Sequence, residues 1–478
     1  MKKPPFSIDA VMMGRNDEYE PNWNEKLMAS IAYNRALFER SRVDYRITFV
    51  EWNPPAGKPL LAPMLVERFP YLRAIVVEPE VHEVLCESDQ AIMLNFSLNC
   101  GLRTSTADYC LISAGDLFIG RQLADYIKGL GLIRNCLYRA ERVNIRPDLD
   151  FNRITPELIE ADSSLASIDT CTEPPYDVPP YFHACGDFLL TDRLSMQGIR
   201  GFDEGIRFAR LHLDSRFCST ATAAGLNTNL AGQIFHISHT KSYTNQLTSY
   251  HDKPYAYRRG LPYLNGPQWG LADHVWESRG ERLWSVRRPT KADGTVTMPF
   301  PFPENEVAAI NAVTRRIIAA KNEQPPVEPD PQQPVDVRPI AVKGIRVHRD
   351  WPGARVQYGK PTVVETVSAP WGFSATLDIA KAVRRQVDNQ SSVFVEIDMQ
   401  ATKGIVGVGL MTDYQLGSEI FLDAKDGRQR HYIGVSGSED SLLIRNAAIN
   451  NESSALSVHG VRVLKQRKTV IDESRFLL

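Results

Sequence analysis

The chain has 478 residues, of which 43% are hydrophobic and 23% charged, with a formal net charge of −2. That length and balance predict two or three soluble globular domains and exclude nucleic acid as the main partner, because phosphate binding relies on clustered Lys and Arg. With no run of 18 apolar residues, no apolar core in MKKPPFSIDA and seven scattered cysteines at no metal-like spacing, the chain is expected to be cytoplasmic, with reduced thiols and no transmembrane segment.

In chain order, Phe6–Met13 is a short apolar run and Trp23–Ser41 has helical periodicity around Leu27, Ile31 and Leu37. Tyr45–Trp52 reads as a strand, Leu60–Phe69 as a helix, Leu72–Val77 as a strand, Asn95–Thr106 as a helix and Tyr109–Ser113 as a buried strand. This alternation predicts an α/β domain with a mostly parallel central sheet. Tyr250–Trp284 is rich in Tyr, Trp, Arg and Gly and reads as a packing extension or lid. Residues 321–340 hold a Pro-rich stretch that predicts a semi-rigid linker. Beyond it, VFVEIDMQA, GIVGVGLMT, RHYIGVSG, SLLIRNAAI and VHGVRVLKQ alternate with period two, which predicts an antiparallel β-sandwich. The expected organisation is 1–245 catalytic, 246–320 an aromatic-rich helical extension, 321–340 linker and 341–478 sandwich.

An open parallel sheet binds ligands at the carboxyl ends of its strands. Polar residues stand there in Arg15-Asn16-Asp17 after the first strand, in Glu51 at the end of the second, and in Asp116 after Tyr109–Ser113. A carboxylate such as Glu51 can accept the N–H of a nucleobase; a solvated loop acid is the alternative. Asn95, Asn99 and Arg103 are four apart and share a helix face, suited to a diphosphate or to ordinary capping and solvation. His236 and His239 are three apart in FHISHTKS.

The stretch from Gly186 to Gly225 contains GDFLLTDR, GIRGFDE and HLDSRFCSTATAAG. With the preceding strand ends, it resembles the acceptor-side segment of GT-A fold glycosyltransferases of the family-2 type, over roughly residues 5–245. The resemblance implies a Rossmann-like catalytic domain that moves a sugar from a nucleotide-diphosphate sugar to a hydroxyl of a glycan or related acceptor, with inversion. It implies Asp214 as general base, with helix capping as the alternative role for that residue. It places the donor nucleotide on Arg15, Asn16, Asp17, Glu51, Asn99 and Arg103, and the donor sugar and acceptor on Asp187, Arg193, Asp203 and Glu204. It further implies Mn²⁺ or Mg²⁺ held by Asp116, with His239 or His236 completing the site. The chain departs from the family pattern in having Ala114 where a first acid of a D-x-D is expected, and His212-Leu213 before the base. A catalytically silent carbohydrate-binding or scaffold protein and a nucleotidyltransferase are the alternative readings. Peripheral membrane contact, homo-oligomerisation through the C-terminal domain and glycan binding by it stay open.

Overall fold

The computed structural model describes residues 6–17, 22–39, 43–130, 132–145, 150, 153–161, 186–207, 213–237, 262–323, 335–348, 353–369, 372–388, 390–412, 415–435, 437–448, 452–467 and 473–477. The chain is mixed α/β and divides into two compact units, one comprising Met1–Thr244, Arg259–Ala320 and Asp472–Leu478, the other centred on Lys321–Ile471.

The first unit begins with apolar runs that a buried sheet requires: β1 (Phe6–Gly14), β2 (Val43–Trp52) and β3 (Leu72–Val77). Helices α1 (Trp23–Glu39) and α2 (Leu61–Arg68) connect them. Two further helices, α3 (Pro79–Leu85) and α4 (Leu94–Arg103), lead into β4 (Tyr109–Ser113). Then follow β5 (Leu117–Ile119), α5 (Arg121–Leu130), β6 (Cys136–Ile145), α6 (Pro156–Ala161) and β7 (Phe188–Asp192). The unit continues with α7 (Arg193–Ile199), α8 (Leu213–Ala223), β8 (Asn227–Ile237), β9 (Val275–Gly280), β10 (Leu283–Arg287) and α9 (Glu304–Glu323).

Among the described residues these strands form one sheet in the order β5-β8-β6-β7-β4-β1-β2-β3-β10-β9. β1 runs parallel to both β2 and β4, β2 to β3, β3 to β10, and β6 to β8. β7 is antiparallel to β4 and β6, β5 to β8, and β9 to β10. The chain lays β2 and β3 on one side of β1 and then places β4 on the other, so a topological switch lies between β1 and β4. Ile8, Ala10, Met12, Phe49 and Leu111 from the central strands pack with Leu27 and Ile31 of α1 on one face. Val50, Trp52, Ile75 and Val77 pack with Phe96 and Cys100 on the other.

The extension expected to be helical instead gives the hairpin β9–β10, which adds to the sheet beside β3, and only then the helix α9. Residues 473–477 also belong to this unit. Arg200, wholly buried and left-handed at φ 66°, donates from Nη1 to the Asn265 carbonyl at 2.6 Å and from Nη2 to the Phe476 carbonyl.

In the second unit, β11 (Asp336–Ile340), β13 (Arg355–Gln357), β14 (Thr362–Glu365), β16 (Ser391–Lys403), β19 (Gln429–Val435) and β21 (Ala455–Arg467) form one sheet. The other contains β12 (Arg346–Val347), β15 (Phe373–Asp378), β17 (Ile405–Thr412), β18 (Gln415–Asp423) and β20 (Ser441–Asn446). Val395, Ile397, Val461 and Val463 of the first sheet share a core with Val406, Val408, Leu442 and Ile444 of the second, the inward half of each period-two alternation. The end of the expected linker, Asp336–Ile340, is therefore a paired strand on β21 rather than a free spacer. No helix among the described residues is long and apolar enough to cross a membrane.

Candidate active site at the carboxyl ends of the strands

A crevice at the switch point of an open sheet is the place where loops from adjacent strands part and admit a ligand. Here Arg15-Asn16-Asp17 leaves β1 on one side and Ala114-Gly115-Asp116 leaves β4 on the other. Gly115 is needed at its position, because a Cβ would stand 2.8 Å from Trp23 and 3.0 Å from Leu27 of α1. Arg15 pairs with Asp17 at 3.1 Å and donates to the Ala91 carbonyl at 2.9 Å. Asn16 donates to the Pro59 carbonyl at 2.9 Å and accepts from Asn24 at 3.1 Å. Arg15 and Asn16 thus brace the loops around the carboxyl end of β1.

Asp116 is buried and lies 3.2 Å from Nε2 of His236, whose backbone is in register with Leu117 across β5 and β8. Only three residues separate β4 from β5, and β5 joins the end of β8, so Asp116 is carried over the ends of β7 and β6. The pair offers one carboxylate and one imidazole, which fits a hard divalent cation that takes its other ligands from phosphate and water. Among the described residues no group of three or more His, Cys, Asp or Glu side chains is placed to hold a metal. His239 lies outside the described residues.

Asp187 precedes β7, and Phe188 is in register with Ser113, so Asp187 comes to the same edge as Asp116. Its carboxylate pairs with Arg142 of β6 at 2.6 Å. Asp214 is the second residue of α8 rather than its cap. Gly186 lets the two acids approach, since a Cβ there would stand 3.0 Å from the Asp214 Cβ and 3.3 Å from its Oδ2. Burial pushes the Asp214 carboxyl above its ordinary value; Arg139 and the Ser215 N–H act against this, and the Asp187 charge adds to it. A carboxylate held in that way is a better proton acceptor than one in water.

Sequence reasoning missed Arg139 and Arg142. Both belong to β6, an otherwise largely buried strand, and a charge placed there has to meet a partner. That was the available signal.

Six expected site residues are engaged elsewhere. Glu51 is fully buried and accepts the N–H of Leu61 at 2.9 Å and of Ala62 at 2.8 Å; α2 has no side-chain cap of its own, and Glu51 supplies one from β2. Asn99 is fully buried and exchanges hydrogen bonds with the Phe202 backbone at 2.6 and 2.8 Å, while Asn95 donates to the Asp203 and Ile206 carbonyls at 2.7 Å each. Arg103 ends α4, where the helix hands over to the amino end of β4; it donates to the carbonyls of Pro267 and Trp269 and lies over the Trp269 and Phe302 rings. Arg193 follows Asp192, the register partner of Tyr109, and so stands at the opposite edge of the sheet, clamped on Glu306 at 2.7 Å. Asp203 pairs with Arg216 of α8 at 2.5 Å. Glu204 accepts from Asn99 at 2.9 Å and from the Gly270 N–H at 2.7 Å.

A cavity of about 320 Å³ opens at that opposite edge, lined by Asp108, Arg134, Asp192, Arg193, Asn305 and Glu306. Its acids already have work: Asp108 accepts from Ser7, Asp192 from Ser195 and Glu306 from Arg193. The carboxyl edge is the better candidate because Asp116 with His236, and Asp187 with Asp214, stand at the end of the sheet where open parallel sheets take their ligands.

No protein-family model matches the chain, and no curated protein does. Solved structures of a family 29 carbohydrate binding module share 12% identity over 27% of this chain and 92% of that one, with a TM-score of 0.21. A mycobacterial protein shares 11% identity over 60% of this chain and 86% of that one, with a TM-score of 0.31. Likeness at this level assigns neither fold nor activity.

Proposed function

We propose that the first unit is a GT-A type glycosyltransferase that moves a sugar from a nucleotide-diphosphate sugar to a hydroxyl of a glycan or related acceptor, with inversion. The observation that carries this reading is the placing of Asp116 with His236, and of Asp187 next to Asp214, on the carboxyl edge of the sheet that holds the switch between β1 and β4. The nucleoside would enter between Arg15-Asn16-Asp17 and the end of β4. Asp116 and His236 would hold Mn²⁺ or Mg²⁺, which when bound neutralises charge on the departing diphosphate. Asp214 takes the acceptor hydroxyl proton as the acceptor oxygen bonds to the anomeric carbon and the sugar–phosphate bond breaks. Asp187 faces the same opening and orients the sugar or acceptor. A catalytically silent carbohydrate-binding protein is the second reading, favoured by the internal engagement of Glu51, Asn99, Arg193, Asp203 and Glu204.

The test is sugar transfer, followed as nucleoside diphosphate release from a panel of nucleotide sugars with Mn²⁺. Asp214→Asn keeps the shape of the side chain but cannot take the proton. It is expected to lower transfer by ~10²–10⁴-fold, the usual weight of a general base, with nucleotide affinity unchanged. Near-native turnover by the variant would remove Asp214 from the mechanism.

A further inference from the structure

We infer that Arg142 is a phosphate-binding residue of this site, held in reserve by Asp187. The inference rests on the glycosyltransferase reading and adds to it a residue that nothing in the sequence pattern had placed there.

A nucleoside diphosphate needs cations beyond a single metal ion, and arginine matches phosphate oxygens with two donors at once. Arg103, the arginine expected at the diphosphate, stands at the amino end of β4 and is clamped there, as is Arg193. Arg15 at the carboxyl end of β1, and Arg139 and Arg142 of β6, lie towards the acids of the site. Arg139 is wholly buried beside Asp214, and Arg15 is committed to Asp17 and the Ala91 carbonyl. Arg142 differs in position. It lies in register with Ile234, two residues before Asn144, which is in register with His236. Residues two apart on a strand share a face, so Arg142 stands on the His236 side of β6, one repeat below the Asp116–His236 pair. Its side chain is 16% exposed and its guanidinium reaches Asp187 at 2.6 Å, with the Asp187 side chain 25% exposed.

A purely structural ion pair in a strand end would account for the contact with Asp187 but not for its place on the edge that also carries Asp116 and Asp214. Asp116, Asp187 and Asp214 bring a concentration of negative charge that would repel a diphosphate, and Arg142 is the cation on the open side of it. In the unliganded site it neutralises Asp187; with ligand it meets the phosphate oxygens.

The test compares binding of UDP with uridine and of GDP with guanosine, in Mn²⁺, to the full-length native protein, Arg142→Gln and Asp187→Asn. Arg142→Gln is expected to weaken diphosphate binding roughly 10- to 100-fold, the loss of a charge-assisted contact, and to leave nucleoside binding alone. Asp187→Asn releases the guanidinium and is expected to tighten diphosphate binding, a gain that a structural ion pair would not produce; this arm decides the matter if Arg142→Gln does not fold. Diphosphate affinity equal to native in both variants would overturn the Arg142 assignment alone. A native protein that binds neither nucleoside nor diphosphate would overturn this inference and the glycosyltransferase reading together.

Discussion

Glu204 sits between Asn99 and the Gly270 N–H, and burial pushes its carboxyl from 4.5 up to about 7, against those two hydrogen bonds and the Arg103 charge. In the unfolded chain the same group ionises at the ordinary value. Between the two values the unfolded state has lost the proton and the folded state keeps it. Stability is therefore full below about pH 4.5, falls as pH rises, and the loss is complete once pH passes about 7, at roughly 1.4 kcal/mol per pH unit in that window. Glu204→Gln accepts the same hydrogen bonds without the charge. Its melting temperature is expected to fall less than native between pH 5 and 7, as measured by calorimetry; identical slopes would show that Glu204 is not held as described. Such roles were only half legible in the sequence. Asn99 and Arg103 were rightly seen to share a helix face, but that face meets the Phe202 turn and the Pro267–Trp269 backbone, partners a hundred or more residues away. Residue type announces a polar need, whereas the fold decides what meets it.

At the level of elements, α7 and α9 meet through a glycine. A Cβ on Gly198 would stand 2.5 Å from the Val313 Cβ and 2.8 Å from the Ile310 carbonyl oxygen, while Thr314 donates to the Gly198 carbonyl at 2.9 Å. Gly198→Ala gains helix propensity, roughly 1 kcal/mol, but overpacks a contact whose nearest atoms include backbone, which typically costs ~1–3 kcal/mol. The expected result is a lower urea midpoint, and an unchanged or higher midpoint would mean that α7 and α9 do not pack in this way. The strands of the first unit were readable because β1 to β4 are rich in apolar residues, with unbroken stretches such as Ala10–Met13, Ala74–Val77 and Tyr109–Ile112. The hairpin β9–β10 was not, because VWESRG and LWSVR mix charge with aromatics and gain their place only by pairing with β3. In the second unit β16, β17 and β19 to β21 showed their period two, while β12 and β13, two and three residues long, are too short to show any.

Across the whole molecule, the Pro-rich stretch marked the boundary between the two units, but the chain end was misread. Residues 473–477, expected with the sandwich, complete the first unit, where the Phe476 carbonyl meets buried Arg200 and Glu473 lies 3.8 Å from Arg315. No local pattern in ESRFL signals that return, because its partners, Arg200 and Arg315, are remote in sequence. The acids of the site follow the same rule: Asp116, Asp187 and Asp214 are remote in sequence, and the topology gathers them at one edge. The most direct test of the account is calorimetric titration of UDP and GDP, with and without Mn²⁺, into the full-length native protein and Asp116→Asn. One of these nucleotides is expected to bind the native protein more tightly with the metal, and Asp116→Asn to lose the metal-dependent part of the affinity. Metal-dependent affinity undiminished in Asp116→Asn, or no nucleotide binding by the native protein, would contradict it.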